Sequence, residues 1–155
     1  MKIYKNKISI GIILTLSLLF MSSSFAYAAP SSAQVVKEYL DDGSYFESVI
    51  TSSSTRSTIR NASKTTTYKN ADGEALWDVK VTANFEFNGS TSKCTSAVAS
   101  ANSYNKVWKI LDKRSNRNGN SGSATALAGS YLGGVFVGSM SKTVTLTCDK
   151  NGNLS

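Results

Sequence analysis

The chain of 155 residues carries 17 Lys and Arg against 10 Asp and Glu, a formal net charge of +7, with two cysteines and no histidine. Without histidine there is no His-based triad, no His-ligated zinc and no imidazole general base, so the commonest hydrolase designs are excluded. Residues 1–28 hold three of the 17 basic residues, Lys2, Lys5 and Lys7, and none of the acids, so 14 against 10 leaves only +4 for the remainder, and nucleic acid is not expected as a partner.

Residues 1–28 read as a secretory signal peptide: a basic start, the apolar run "ISIGIILTLSLLF" and the small-residue tail "SSSFAYA". The run is short for a bilayer span, and Ala26 and Ala28 put small side chains where a signal peptidase reads them. Cleavage is expected after Ala28, giving a secreted mature chain with no membrane anchor expected. Residues 29–42 then form an N-terminal arm in which "SSAQVVKEYL" fits a short helix or an extended segment, and residues 43–155 form one domain.

Strands are expected at "SYFESVI" (44–50) and, beyond the loop "TSSSTRST" (51–58), at "SKTTTYK" (63–69), which leads through the turn "NADG" into "ALWDVKVTANFEF" (75–87). In this last segment Trp77, Val79, Val81, Ala83 and Phe85 alternate with Asp78, Lys80, Thr82, Asn84 and Glu86, a period of two with one face in the core and one in water. Asn88-Gly89 follows as a hairpin signal, and a two-residue turn there places Cys94 opposite Ala83 and Val98 opposite Val79. Further strands are "KVWKILD" (106–112), "SATALAGSYL" (123–132) and, past a hairpin at Gly133-Gly134, "VFVGSMSKTVTLTC".

About seven strands with short turns and one proline specify an all-β fold, an antiparallel two-sheet sandwich of immunoglobulin-like architecture. Immunoglobulin homology does not follow: "TVTLTC" closes the chain instead of opening it, and Leu146 stands two residues before Cys148 where a tyrosine is required. Alternation sends both Cys94 and Cys148 inward, and in an oxidising compartment two cysteines are expected to form one disulfide. Such a bridge closes a loop of about 55 residues, for roughly 4 kcal/mol in the chain-entropy model.

Chemistry along the chain is sparse. The carboxylate pairs Asp41-Asp42 and Asp72 with Glu74 adjoin glycines and read as turn caps. "DKNGN" (149–153) begins like a calcium loop but has Leu154 where glycine is needed and no bidentate glutamate, so neither metal nor cofactor is expected. One segment has an interaction chemistry: Lys106, Lys109, Lys113, Arg114 and Arg117 surround Trp108, with Asp112 the single acid. On a strand and hairpin tip these cations suit a polyanion, with Trp108 free to stack on a sugar; the alternative is a solvated hairpin with Trp108 in the core. "YLGGVFVGSM" (131–140) is expected as a buried hairpin, its alternative being an exposed tip pressed against a membrane or a partner.

The segments "YLDDGSYFESVI", "SKTTTYKNADGEALWDVKVTANFEFNGSTSKCTSA" and "TVTLTCDKNGNLS" resemble a family of small exported β-rich proteins of Gram-positive bacteria, a group with no established activity. The resemblance implies a bacterial exported domain and carries over no catalytic or binding residue. The function expected is a secreted, non-enzymatic module that binds an anionic cell-wall polymer, a glycan or a protein at the cell surface. Its alternatives are a toxin-like or membrane-active protein and a His-independent hydrolase built on a serine beside a lysine.

Overall fold

A computed structural model describes residues 34–53 and 58–155; the expected signal peptide, residues 1–28, lies outside the described residues. These form eight strands: β1 Val35–Tyr39, β2 Tyr45–Ser52, β3 Ile59–Lys69, β4 Ala75–Phe87, β5 Ser92–Ser103, β6 Trp108–Asn118, β7 Ser121–Leu132 and β8 Val135–Thr147. Strands β1 to β5 make one antiparallel sheet and β6 to β8 a second, each strand beside its neighbour in sequence. Strand β7 lies across β4 and β5, β8 across β3 and β4, and β6 packs against β5. The all-β, two-sheet expectation holds, with eight strands in place of seven. The connectivity is a plain up-and-down meander, so the chain lacks the Greek-key order of an immunoglobulin domain.

The extra strand is β1. The segment compatible with a short helix or an extended arm pairs along its length with β2, from Val35↔Val49 to Tyr39↔Tyr45. The intervening turn is closed by Leu40 N–H on the Ser44 carbonyl at 2.8 Å and by Ser44 N–H on Asp42 Oδ1 at 3.0 Å. The Ser44 hydroxyl, which donates to Asp42 Oδ1 at 2.5 Å, and after it the Ser44 N–H hold the Asp42 carboxyl below its usual range, the turn-cap chemistry that a short acid beside glycine provides.

Strand β4 follows its sequence pattern, with Trp77, Val79, Val81, Ala83 and Phe85 all buried. The hairpin after it does not follow the two-residue expectation. Asn88 Oδ1 accepts the backbone N–H groups of Ser90 and Thr91, so the turn takes four residues and Phe87 pairs with Ser92. Cys94 therefore faces Phe85, not Ala83, and its inward direction survives because both partners lie on one face. A bulge beside Asn84 then adds one residue, Thr95, and reverses the alternation of the rest of β5. Val98 consequently pairs with Thr82 and faces solvent, while Ala97, Ala99 and Ala101 pack on the core.

The core is aromatic at one end and lined by small side chains farther along. Phe46, Tyr68, Trp77 and Trp108 form a cluster with ring centroids 5.2 to 6.2 Å apart. Ala83, Ala97, Ala124 and Ala126 line the stretch that leads to Phe85 and Leu146. There the sheets come so close that a Cβ on Gly122 would sit 3.1 Å from the Cβ atoms of Ala83 and Ala97 and 3.2 Å from Cys94 Sγ. Both cysteines are buried as expected, but the disulfide is absent: each is a free thiol, and the two stand too far apart to bond. The physical reason is the β6–β7 turn, which lies between them. Cys94 N–H donates to the Gly119 carbonyl and Cys148 N–H to the Asn120 carbonyl, so each cysteine is tied to the same turn instead of to the other.

Candidate functional site

Strand β6 is an edge strand of the three-stranded sheet and carries the basic segment. Its alternation is broken by a bulge at Leu111, since Ile110 pairs with Ala128 and Asp112 with Leu127. Before the bulge Trp108 and Ile110 point to the core; after it Lys113 and Arg117, opposite the buried Ala126 and Gly122, take the core side. Lys109 and Arg114, opposite Gly129 and Thr125, take the outer face. Charged residues on the inner side of an edge strand discourage pairing with a foreign strand, and here one of them has a definite partner. Arg117 Nη1 donates to the Thr95 carbonyl, bridging the open edge between β5 and β6.

The structure thus divides the six residues singled out by the sequence. Trp108 packs half-buried on the core: its ring stands edge-on against Tyr68 at 5.6 Å and lies 6.2 Å from Trp77. Arg117 is a clasp across the sandwich edge. Lys106, Lys109, Lys113 and Arg114 remain exposed. Lys109 Nζ sits 4.6 Å over the Tyr131 ring, and Arg114 lies 3.7 Å from Asp112. Lys106 and Lys113 have no ion-pair partner among the described residues.

Charge is distributed unevenly between the sheets. Between residues 106 and 147 stand Lys106, Lys109, Lys113, Arg114, Arg117 and Lys142 with Asp112 as the one acid. Lys142 is tied to Glu38 of β1 at 2.6 Å and covers the Phe46 ring at 4.1 Å, which pins the second sheet to the first. The first sheet neutralises much of its own charge, as in the Lys69–Glu47 pair at 2.6 Å, whose hydrogen bond lowers the Glu47 pKa and raises that of Lys69.

Beside the cations lies an apolar surface. The expectation of a buried 131–140 hairpin is overturned: Leu132, Val135, Phe136 and Val137 are all exposed, and Tyr131 packs on Phe136 at 5.6 Å. Gly133 and Gly134 do form the expected turn, with φ of +58° and +88°. At Gly129 the absence of a side chain leaves room for Leu111 and Phe136 to close over the backbone, since a Cβ would meet them at 2.9 and 3.2 Å. Tyr131 and Phe136 stand in the hairpin whose exposed alternative the structure has, and Leu111 is the residue of this surface that the sequence did not single out. The available signal was the run of apolar residues on both strand faces, which a sheet covered on one side cannot bury.

On the outer face of the five-stranded sheet one carboxylate is buried. Asp78 accepts hydrogen bonds from the backbone and side chain of Asn102 through one oxygen and from the Tyr104 hydroxyl through the other. The bond to Asp78, with burial, pushes the Tyr104 pKa up to about 12. With Tyr104 N–H on the Leu76 carbonyl at 2.9 Å, this clasp fastens the connection between β5 and β6. Asp149 is occupied in a similar way by Asn151 and Asn153, which closes the C-terminal turn.

A cleft of about 590 Å³ opens at the β5–β6 edge, lined by Ser92, Lys93, Cys94 and Arg117 among others. The Ser92 hydroxyl is buried without a hydrogen-bond partner, and among the described residues no serine hydroxyl is bonded to a lysine. Among the described residues no three of Asp, Glu, Cys and His gather closely enough to hold a metal ion. No protein-family model matches the chain, and comparison with curated proteins and with solved structures returns no match.

Proposed function

We propose that this chain is an exported, non-enzymatic binding module of a Gram-positive bacterium that docks through its three-stranded sheet on an anionic component of the cell surface, such as a wall polymer or glycan. The observation that carries the reading is the basic edge of that sheet and the turn before it, where Lys106, Lys109, Lys113 and Arg114 are exposed with Asp112 as the one acid among them. Lys109 and Arg114 share the sheet's outer face, opposite Gly129 and Thr125 and so about 13 Å apart along the strand at roughly 3.3 Å per residue. Lys106 and Lys113 extend the same basic edge.

Each exposed contact contributes little alone, on the order of 0–1 kcal/mol, so attachment depends on several at once and weakens as salt shortens the Debye length from about 10 Å at 0.1 M. The aromatic partner in this arrangement is Tyr131, not Trp108, because Tyr131 lies beside Lys109 on the outer side of the sheet. The test is binding of the purified protein to isolated wall polymer at low and high salt, beside a variant with Lys106, Lys109, Lys113 and Arg114 each changed to Glu. The expected result is salt-sensitive binding that falls at least about tenfold in the variant, roughly 1.4 kcal/mol, with melting unchanged. Binding that the four reversals leave intact would refute the reading. Arg117 stays in place in this test because its bond to Thr95 gives it a structural role.

A further inference from the structure

Four large apolar side chains fall within six consecutive residues at the end of the β7–β8 hairpin: Leu132, Val135, Phe136 and Val137 are 74, 68, 52 and 59% exposed. Gly133 and Gly134 make the turn between them, with open space around both. Behind this tip comes an aromatic belt of one residue, Tyr131, held between the Phe136 ring at 5.6 Å and Lys109 Nζ at 4.6 Å. The backbone bond from Tyr131 N–H to the Val107 carbonyl brings the β5–β6 turn, with Lys106 and Val107, to the same end of the sheet. No acidic residue stands between Asp112 and Asp149, so nothing on β7, β8 or their turn opposes a negative surface.

We infer, resting on the anionic-surface reading above for its electrostatic part, that this tip inserts into the headgroup region of an anionic lipid bilayer and anchors the protein there. The order along the hairpin matches the gradient of a membrane interface. Apolar side chains lead, a tyrosine with an apolar ring and a polar end sits at the boundary, and lysines with long methylene stems stand behind it, where anionic headgroups meet them. A second copy of the chain is a poorer occupant, because two tips in contact bring Lys106 and Lys109 of each copy against those of the other. A neutral apolar partner leaves the cations unused.

The test is partition of the purified protein onto vesicles of equal phosphatidylglycerol and phosphatidylcholine, onto phosphatidylcholine alone, and onto soluble polyphosphate. The comparison variant carries Leu132→Ser, Val135→Ser and Phe136→Ser, all at exposed positions, with its fold checked by near-UV circular dichroism. The wild type is expected to favour the anionic vesicles by at least about tenfold. The triple variant loses about tenfold or more on those vesicles and keeps its polyphosphate affinity within about twofold. Phe136→Trp, which places an indole at the tip, shifts its emission to the blue on anionic vesicles only. Vesicle affinity unchanged in the triple variant, beside intact polyphosphate binding, overturns the membrane anchor and leaves the anionic-surface reading standing. Absence of binding to vesicles and polyphosphate alike overturns both. A wild-type dimer that ignores vesicles and becomes a monomer in the triple variant overturns the anchor in favour of self-association.

Discussion

Replacing Trp108 with alanine separates its two possible roles in one experiment. As a core residue it contacts Tyr68 at 5.6 Å and Trp77 at 6.2 Å between ring centroids, and it closes the aromatic end of the sandwich. A fully buried Trp→Ala change costs about 3–5 kcal/mol. Trp108 is only half-buried, so about 2–4 kcal/mol is expected after discounting the exposed part. A domain of this size loses roughly 4 °C of melting temperature per kcal/mol, which gives a fall of about 8–16 °C. Thermal melts followed by far-UV circular dichroism measure the shift, and urea unfolding with an unchanged slope confirms that stability and not compactness has changed. The coupling of Trp108 with Trp77 adds a second readout, loss of near-UV signal in the native state. A shift under about 2 °C together with weakened surface binding would show that the indole faces solvent, and the division of the basic segment into core and surface residues would fail.

Three other consequences follow from the packing. Gly122→Val drives a branched side chain into Ala83, Ala97 and Cys94, all within 3.2 Å of its Cβ, and is expected to cost about 1–3 kcal/mol in urea unfolding; a midpoint equal to wild type means the sheets are farther apart there. Ellman titration is expected to find two thiols per chain once the protein is unfolded without reductant and almost none in the native state, where burial pushes the Cys94 thiol up; finding none after unfolding establishes the disulfide. Tyr104 has a folded pKa of about 12 against 10.0 unfolded, so its bond to Asp78 contributes fully below pH 10 and is lost as pH rises through 12. Tyr104→Phe should remove that alkaline slope from the pH–stability curve, and a slope identical to wild type contradicts the clasp.

The parts of the fold legible in the sequence are those set by alternation within one strand. Trp77 to Phe85 and Val144, Leu146 and Cys148 are buried as their period of two requires, because side-chain direction along a strand is local geometry. Pairing between strands is not local. The Asn88 side chain lengthens its turn by capping Ser90 and Thr91, and Thr95 adds a bulge, so Val98 faces water although its neighbours predict a core position. Leu111 makes a similar bulge, which turns Lys113 and Arg117 toward the sandwich edge. Inward direction alone could not join Cys94 to Cys148, since a turn from a third segment lies between them. The 131–140 hairpin illustrates the same limit. Its hydrophobicity is plain in the sequence, but whether a partner covers it depends on where the five-stranded sheet ends. The basic residues were legible as a cluster; their division between a clasp, a core-side edge and an outer face came from the register of β6 on β7.

The most direct measurement is hydrogen–deuterium exchange of the protein with and without anionic vesicles and wall polymer. Slower exchange confined to residues 106–118 and 129–138, with β2 to β4 unchanged, is the expected footprint of docking through the three-stranded sheet. Protection that instead falls on the outer face of the five-stranded sheet, around Thr65, Thr67 and Ser100, would contradict it and move the binding surface to the opposite side of the sandwich.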